Sequence, residues 1–163
     1  NSMEEISEKA KESAECTHNH PEGIKGAQAT ALCIYLARRG YEKPTIKKII
    51  EDEFHYDLSL TVDEIRPRYS WEGLDGKGDG GTCQGSVPEA IVCALEATDY
   101  EDAIRNAISI GGDSDTIGCI TGSIAEPLYG IPDDIRQKGL GYLKRNEGFM
   151  KVVTEFESKY GSR

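Results

Sequence analysis

Apolar residues recur at three- and four-residue intervals along nearly the whole chain, and no stretch alternates apolar with polar for more than a few positions. The first period is that of an amphipathic α-helix, and the second, which marks a half-buried strand, is missing. Ile6, Ala10 and Ala14 mark an opening helix. Ile24, Ala27, Ala31, Leu32, Tyr35 and Leu36 mark a second that stops at Gly40, and Ile46, Ile49, Ile50 and Phe54 a third. Thr61-x-x-Glu64 reads as a capping box before a short turn. Ser86-x-x-Glu89, with Pro88 in the first turn, reads as the start of a helix through Ala90, Ile91, Ala94 and Leu95. Thr98-x-x-Glu101 opens another. Asp113 to Thr116 lead into a helix ended by Gly130 and Pro132, and two more patterns lie near Asp133–Lys144 and Phe149–Tyr160. The expected class is all-α, a compact multi-helix bundle with short connections, with residues 1–163 as one domain.

One segment breaks the pattern. Trp71 to Thr82 holds five glycines, Gly73, Gly76, Gly78, Gly80 and Gly81, too many for a helix, and reads as a mobile surface loop. Asp75 and Asp79 hint at a calcium loop. Lys77 stands where an EF-hand needs an oxygen, and Ser86 where the closing Glu belongs, so that reading is rejected.

Composition removes other classes. A net charge of −10 repels phosphate backbones, and no basic stripe laced with aromatics offsets it, so general nucleic-acid binding is excluded. No apolar run approaches the roughly 20 residues that span a bilayer. The polar, acidic start resembles neither a signal nor a transit peptide. The five cysteines form no C-x-x-C pair, and most fall in apolar helical patterns. They read as buried thiols of a reducing, cytoplasmic compartment rather than as a disulfide framework.

Three clusters could carry chemistry. Gly111-Gly112-Asp113-Ser114-Asp115-Thr116 puts two carboxylates and a hydroxyl where a loop becomes a helix. At that junction all three can face one locus and supply the hard oxygens that Mg²⁺ or Mn²⁺ requires. On spacing alone the plainer reading is favoured, with Asp113 or Ser114 as an N-cap and Asp115 on the first turn. Thr17-His18-Asn19-His20-Pro21 offers histidines that bond a ligand or brace a loop; a zinc site lacks its further ligands. In Thr82-Cys83-Gln84-Gly85-Ser86-Val87-Pro88-Glu89, Ser86 is not in a G-x-S-x-G elbow. Capping accounts for Ser86 and Glu89, and general-base work by Glu89 is the other reading.

These clusters, in this order, resemble the ADP-ribosylglycohydrolase family, which includes the dinitrogenase reductase-activating glycohydrolase. The resemblance rests on residues 17–27, Gln84 to Ala90 and Gly111 to Thr116, continues through Gly122-Ser123-Ile124-Ala125 and Tyr129-Gly130, and covers roughly Met3 to Leu143. It implies an all-α fold and a hydrolase with two Mg²⁺ or Mn²⁺ ions. Such an enzyme cleaves the glycosidic bond at the distal ribose and removes ADP-ribose from a protein side chain or a small molecule. By resemblance, Asp113, Asp115 and Thr116 are metal ligands. His18, Gly111, Gly112 and Ser114 line the ADP-ribose site.

The same resemblance sets expectations about what this sequence lacks. Family members carry an N-terminal Gly-Asp-x-x-Gly-type motif and a Thr-Asp-Asp run with the remaining metal ligands; neither occurs here. The chain thus reads as the C-terminal part of the fold, truncated and without its N-terminal helices. It holds half a site, with the general acid/base elsewhere, and is expected to be inactive alone. A complementing N-terminal segment or a dimer would complete it. The alternatives are one half of a split enzyme, or a non-catalytic module that binds ADP-ribose or metal.

Overall fold

The computed structural model describes residues 2–161. Its helices are α1 (Met3–Glu15), α2 (Pro21–Arg38), α3 (Lys43–Phe54), α4 (Val62–Ile65), α5 (Cys83–Glu96), α6 (Tyr100–Ser109), α7 (Ser114–Tyr129), α8 (Asp133–Leu143) and α9 (Glu147–Tyr160). The all-α class expected from the periodicity holds. Among the described residues the one sheet is a two-residue antiparallel hairpin, β1 (Tyr69–Ser70) with β2 (Gly73–Leu74).

Helix α5 is the hub, packed by α2, α6 and α7. Every residue from Gly85 to Leu95 is buried, so this helix has no polar face to show water. The core around it includes Leu36 of α2, Ile46 and Ile50 of α3, which packs on α2, and Ile117 and Ile124 of α7, all inaccessible to solvent. At the C-terminal end of α5, Tyr129 Oη donates to the Ala97 and Ala94 carbonyls (2.6 and 2.9 Å), and Lys43 Nζ donates to Ala97 O (2.7 Å). These bonds satisfy carbonyls that the helix end leaves without partners.

The chain divides after Gly130 into two compact units. In the second, α8 and α9 bury no residue of their own, and α9 exposes Phe149, Val152, Phe156 and Tyr160 along one side.

Several local expectations are corrected. The capping box at Thr61 and Glu64 is present. Helix α5, however, starts at Cys83 rather than after Ser86, so Ser86, Pro88 and Glu89 lie inside it. Helix α6 is capped by Asp99, whose side chain accepts from the Asp102 N–H, while the Asp102 carboxylate takes the Thr98 N–H. Cys33 and Cys93 are buried as expected, but Cys16 and Cys119 are exposed.

The segment after the hairpin is not a free loop. Arg68 donates two hydrogen bonds to the Asp75 carboxylate, at 2.9 and 2.7 Å. Tyr69 Oη donates to Gly80 O and Gly85 O, at 3.1 and 2.7 Å. A side chain at Gly80 would meet Gly73 N at 2.5 Å and Trp71 O at 2.6 Å, so its glycine permits the backbone to fold onto itself. Gly73 and Gly80 thus enable close packing, while Gly76 and Gly78 have open space around them.

Candidate functional site

The three clusters singled out in the sequence are separated by stretches of chain, the first from the second by about 60 residues and the second from the third by about 20, and the fold brings a part of each to one cavity of about 450 Å³. His18 and Glu22 border it from the α1–α2 turn and the start of α2. Cys83 and Ser86 border it from the first turns of α5, and Asp113 and Thr116 from the start of α7. Gly81 and Thr82 form the part of its rim that comes from the glycine-rich segment.

Each element has a local reason to present its residue. Pro21 starts α2, because a proline in the first turn has no N–H to lose. The two histidines before it both line the cavity and differ in their bonds. His20 is the N-cap, its Nδ1 accepting from the Glu22 N–H at 3.3 Å. His18 is exposed, its ring hydrogen-bonded to Thr17 Oγ1 at 2.8 Å, and it faces the cavity. A side chain at Gly23 would meet His18 O at 2.6 Å, so that glycine lets the turn close against α2.

The turn into α7 is built by Gly111 and Gly112, at φ of 78° and 61°, a region that favours glycine. Asp113 occupies the N-cap position, but its side chain makes no capping hydrogen bond. Its side chain lines the cavity instead. Thr116 lies three residues on and also lines the cavity. Asp115 is exposed beside them and lies outside the lining, as do Gly111, Gly112 and Ser114. Among the described residues, no three His, Cys, Asp or Glu side chains gather into a metal cage.

Below the rim, Ser86 Oγ donates to Thr82 O and Gly80 O, at 2.9 and 3.1 Å. It braces the rim segment against α5. One residue there was explained away by the supposed capping box. Glu89 is 7% exposed, in the middle of α5, and its Oε2 has no hydrogen-bond partner among the described residues. Burial pushes its carboxyl up to about 7, with the nearby Asp79 carboxylate adding to the rise. The signal was in the sequence: a lone acid inside the otherwise apolar run Val87–Leu95.

Comparison with known proteins decides the family. The ADP-ribosylglycohydrolase family model matches residues 1–160. The chain belongs to the ADP-ribosylglycohydrolase family. It is 28% identical to ADP-ribosylhydrolase ARH3 of Homo sapiens, over 86% of this chain and 50% of that protein. It is 29% identical to ADP-ribosylhydrolase ARH3 of Danio rerio, over 71% of this chain and 41% of that one. It is 24% identical to ADP-ribosylarginine hydrolase Tri1 of Pseudomonas putida (strain GB-1), over 71% and 30%. The chain thus spans half or less of the length of these curated relatives.

Proposed function

We propose that this chain supplies the ADP-ribose-binding and part of the metal-binding machinery of a hydrolase that removes ADP-ribose from a modified protein side chain or a related conjugate. The observation that carries the reading is the convergence of His18, Asp113 and Thr116 on one cavity. Family membership supports the substrate class, and the curated names of the relatives include an ADP-ribosylarginine hydrolase.

In this reading His18 bonds the ligand from the exposed turn before α2. Gly111 and Gly112 set the turn that aims Asp113 into the cavity. The donor set fits a hard cation: Asp113 offers a carboxylate unused by capping, and Thr116 a hydroxyl in the same lining. Asp115, next to both, would join them as a third oxygen ligand. A bound Mg²⁺ or Mn²⁺ would orient ribose hydroxyls and acidify a bound water. The positive end of the α7 dipole favours ionised carboxylates on its first turn. A cytoplasmic place is part of this reading, on the five free thiols; among the described residues no helix is long and apolar enough to cross a membrane.

The test is displacement. A fluorescent ADP-ribose analogue is titrated into the chain with Mg²⁺, and unlabelled ADP-ribose and AMP compete for it. Competition by ADP-ribose well ahead of AMP supports the reading. Equal competition, or no binding of the analogue, contradicts it.

A further inference from the structure

The glycine-rich segment between β2 and α5 and the buried acid Glu89 have no part in the reading above, yet they meet on one face of α5. Asp79 is the residue of that segment that is driven into the protein. Its carbonyl packs on Gly85, where only a glycine leaves room, and its Oδ1 would lie 3.0 Å from a side chain at Gly85. The Asp79 carbonyl also accepts from the Thr82 N–H at 2.8 Å. Oδ1 is buried and has no hydrogen-bond partner among the described residues.

Glu89 follows Gly85 by four positions, one turn along the same face of the helix. Two carboxylates therefore share this face, each with a buried oxygen that no donor reaches. An isolated buried charge is costly, and two like charges are worse. The cheapest relief is a proton on one of them, which also creates the missing donor.

Glu89 is placed to take it. Burial pushes its carboxyl up to about 7; its own backbone N–H and Lys77 pull the other way, and Asp79 adds to the rise. The remaining titratable neighbours are Tyr56, Tyr69 and Cys93, whose protons burial and the Glu89 charge together make harder to remove. Past Tyr56 stand Glu22 and Lys25 of α2, past Tyr69 Asp113, and past Cys93 Arg66 and Glu96. None of these donates to Glu89 Oε2.

We propose that Glu89 is protonated while the glycine-rich segment is docked on α5, and that its ionisation releases the segment and with it the Gly81–Thr82 rim of the cavity. The sign follows from linkage. The docked state holds the proton to about 7, and release, which removes the Asp79 charge and part of the burial, lowers the value at which it is lost. Docking is strongest below that lower value, weakens as pH rises between the two, and is constant above the upper one. Over that window the docking constant falls tenfold for each unit by which the two values differ.

The segment carries its own reporter, because Trp71 is the chain's one tryptophan and its carbonyl lies against Gly80. The experiment needs no ligand. Carboxyl carbon resonances and Trp71 fluorescence are followed from pH 4 to 9 in the wild type, Glu89→Gln and Asp79→Asn. The expected result is a Glu89 titration near neutrality and a Trp71 change in the same step. Glu89→Gln abolishes the Trp71 step, and Asp79→Asn moves the Glu89 midpoint down. Titration of Glu89 in the ordinary carboxylate range overturns the proposal. So does a Trp71 signal that is flat across the Glu89 step, or one that survives in Glu89→Gln.

Discussion

Gly112 and Tyr69 pack so closely that a side chain on the glycine would lie 2.5 Å from Cε1 of the tyrosine ring. This contact ties the turn before α7 to the hairpin strand β1, and so fixes Asp113 relative to the rim of the cavity. Gly112→Ala is expected to cost about 3 kcal/mol, from the strained φ and the overlap together. Gly111 is the control. Its φ is as positive, but nothing lies within 4 Å of an added side chain, so Gly111→Ala costs only about 1 kcal/mol. Urea denaturation of both variants checks the difference.

The N-cap positions of α6 and α7 should respond in opposite ways. Asp99 accepts a capping hydrogen bond from Asp102 N–H, and Asp99→Ala should lose about 1 kcal/mol of stability. Asp113 makes no such bond, so Asp113→Asn should leave the melting temperature nearly unchanged while weakening Mg²⁺-dependent binding of ADP-ribose. Thermal melts beside binding titrations read both. A large stability loss in Asp113→Asn would return that residue to a structural role.

The two histidines before α2 divide likewise. His20→Ala removes a cap and should cost about 0.5–1 kcal/mol, and because its ring also lines the cavity a change in ligand binding accompanies that loss. His18→Ala should weaken ADP-ribose binding about tenfold and leave the fold intact, because the exposed ring bonds only the neighbouring Thr17 hydroxyl. Binding isotherms and melts of the pair distinguish these outcomes.

Glu89 gives global stability a pH dependence of known sign. Its carboxyl is raised in the folded chain, so its favourable contribution is complete below about 4.5 and is lost as pH rises through about 7. The loss amounts to about 3 kcal/mol, and Glu89→Gln should remove it, making the variant more stable than the wild type at pH 8 and less different at pH 5. Chemical denaturation at the two pH values measures this.

Much of this architecture was legible in the sequence because amphipathic helices write their period into it. Helices α1, α2 and α3 were found from apolar spacing, and α4 from a capping box whose two side chains do bond as the motif implies. The start of α5 was misplaced for a physical reason. Its N-cap, Thr82, makes no capping hydrogen bond, and a helix buried on every side has no periodic edge to follow. The strong-looking Ser86–Glu89 box drew the boundary inward, and that error hid Glu89. The glycine-rich segment was read as mobile because glycine permits both motion and close packing, and only tertiary contacts such as Tyr69 Oη to Gly85 O tell them apart. At the site, the motif holding Asp113, Asp115 and Thr116 was recognisable, but spacing does not tell which of its side chains line the cavity: Asp113 and Thr116 do and Asp115 does not. Two positions on from Asp113 at a helix start, its exposure depends on the turn that Gly112 and Tyr69 set.

The central claim is that one cavity, bordered by His18, Asp113 and Thr116, binds ADP-ribose with a divalent cation. Calorimetric titration of ADP-ribose into the wild-type chain, with and without excess Mg²⁺, tests it most directly. The account predicts a single site whose affinity rises when Mg²⁺ is present. Absence of heat under both conditions, or binding of equal strength in both, would contradict it.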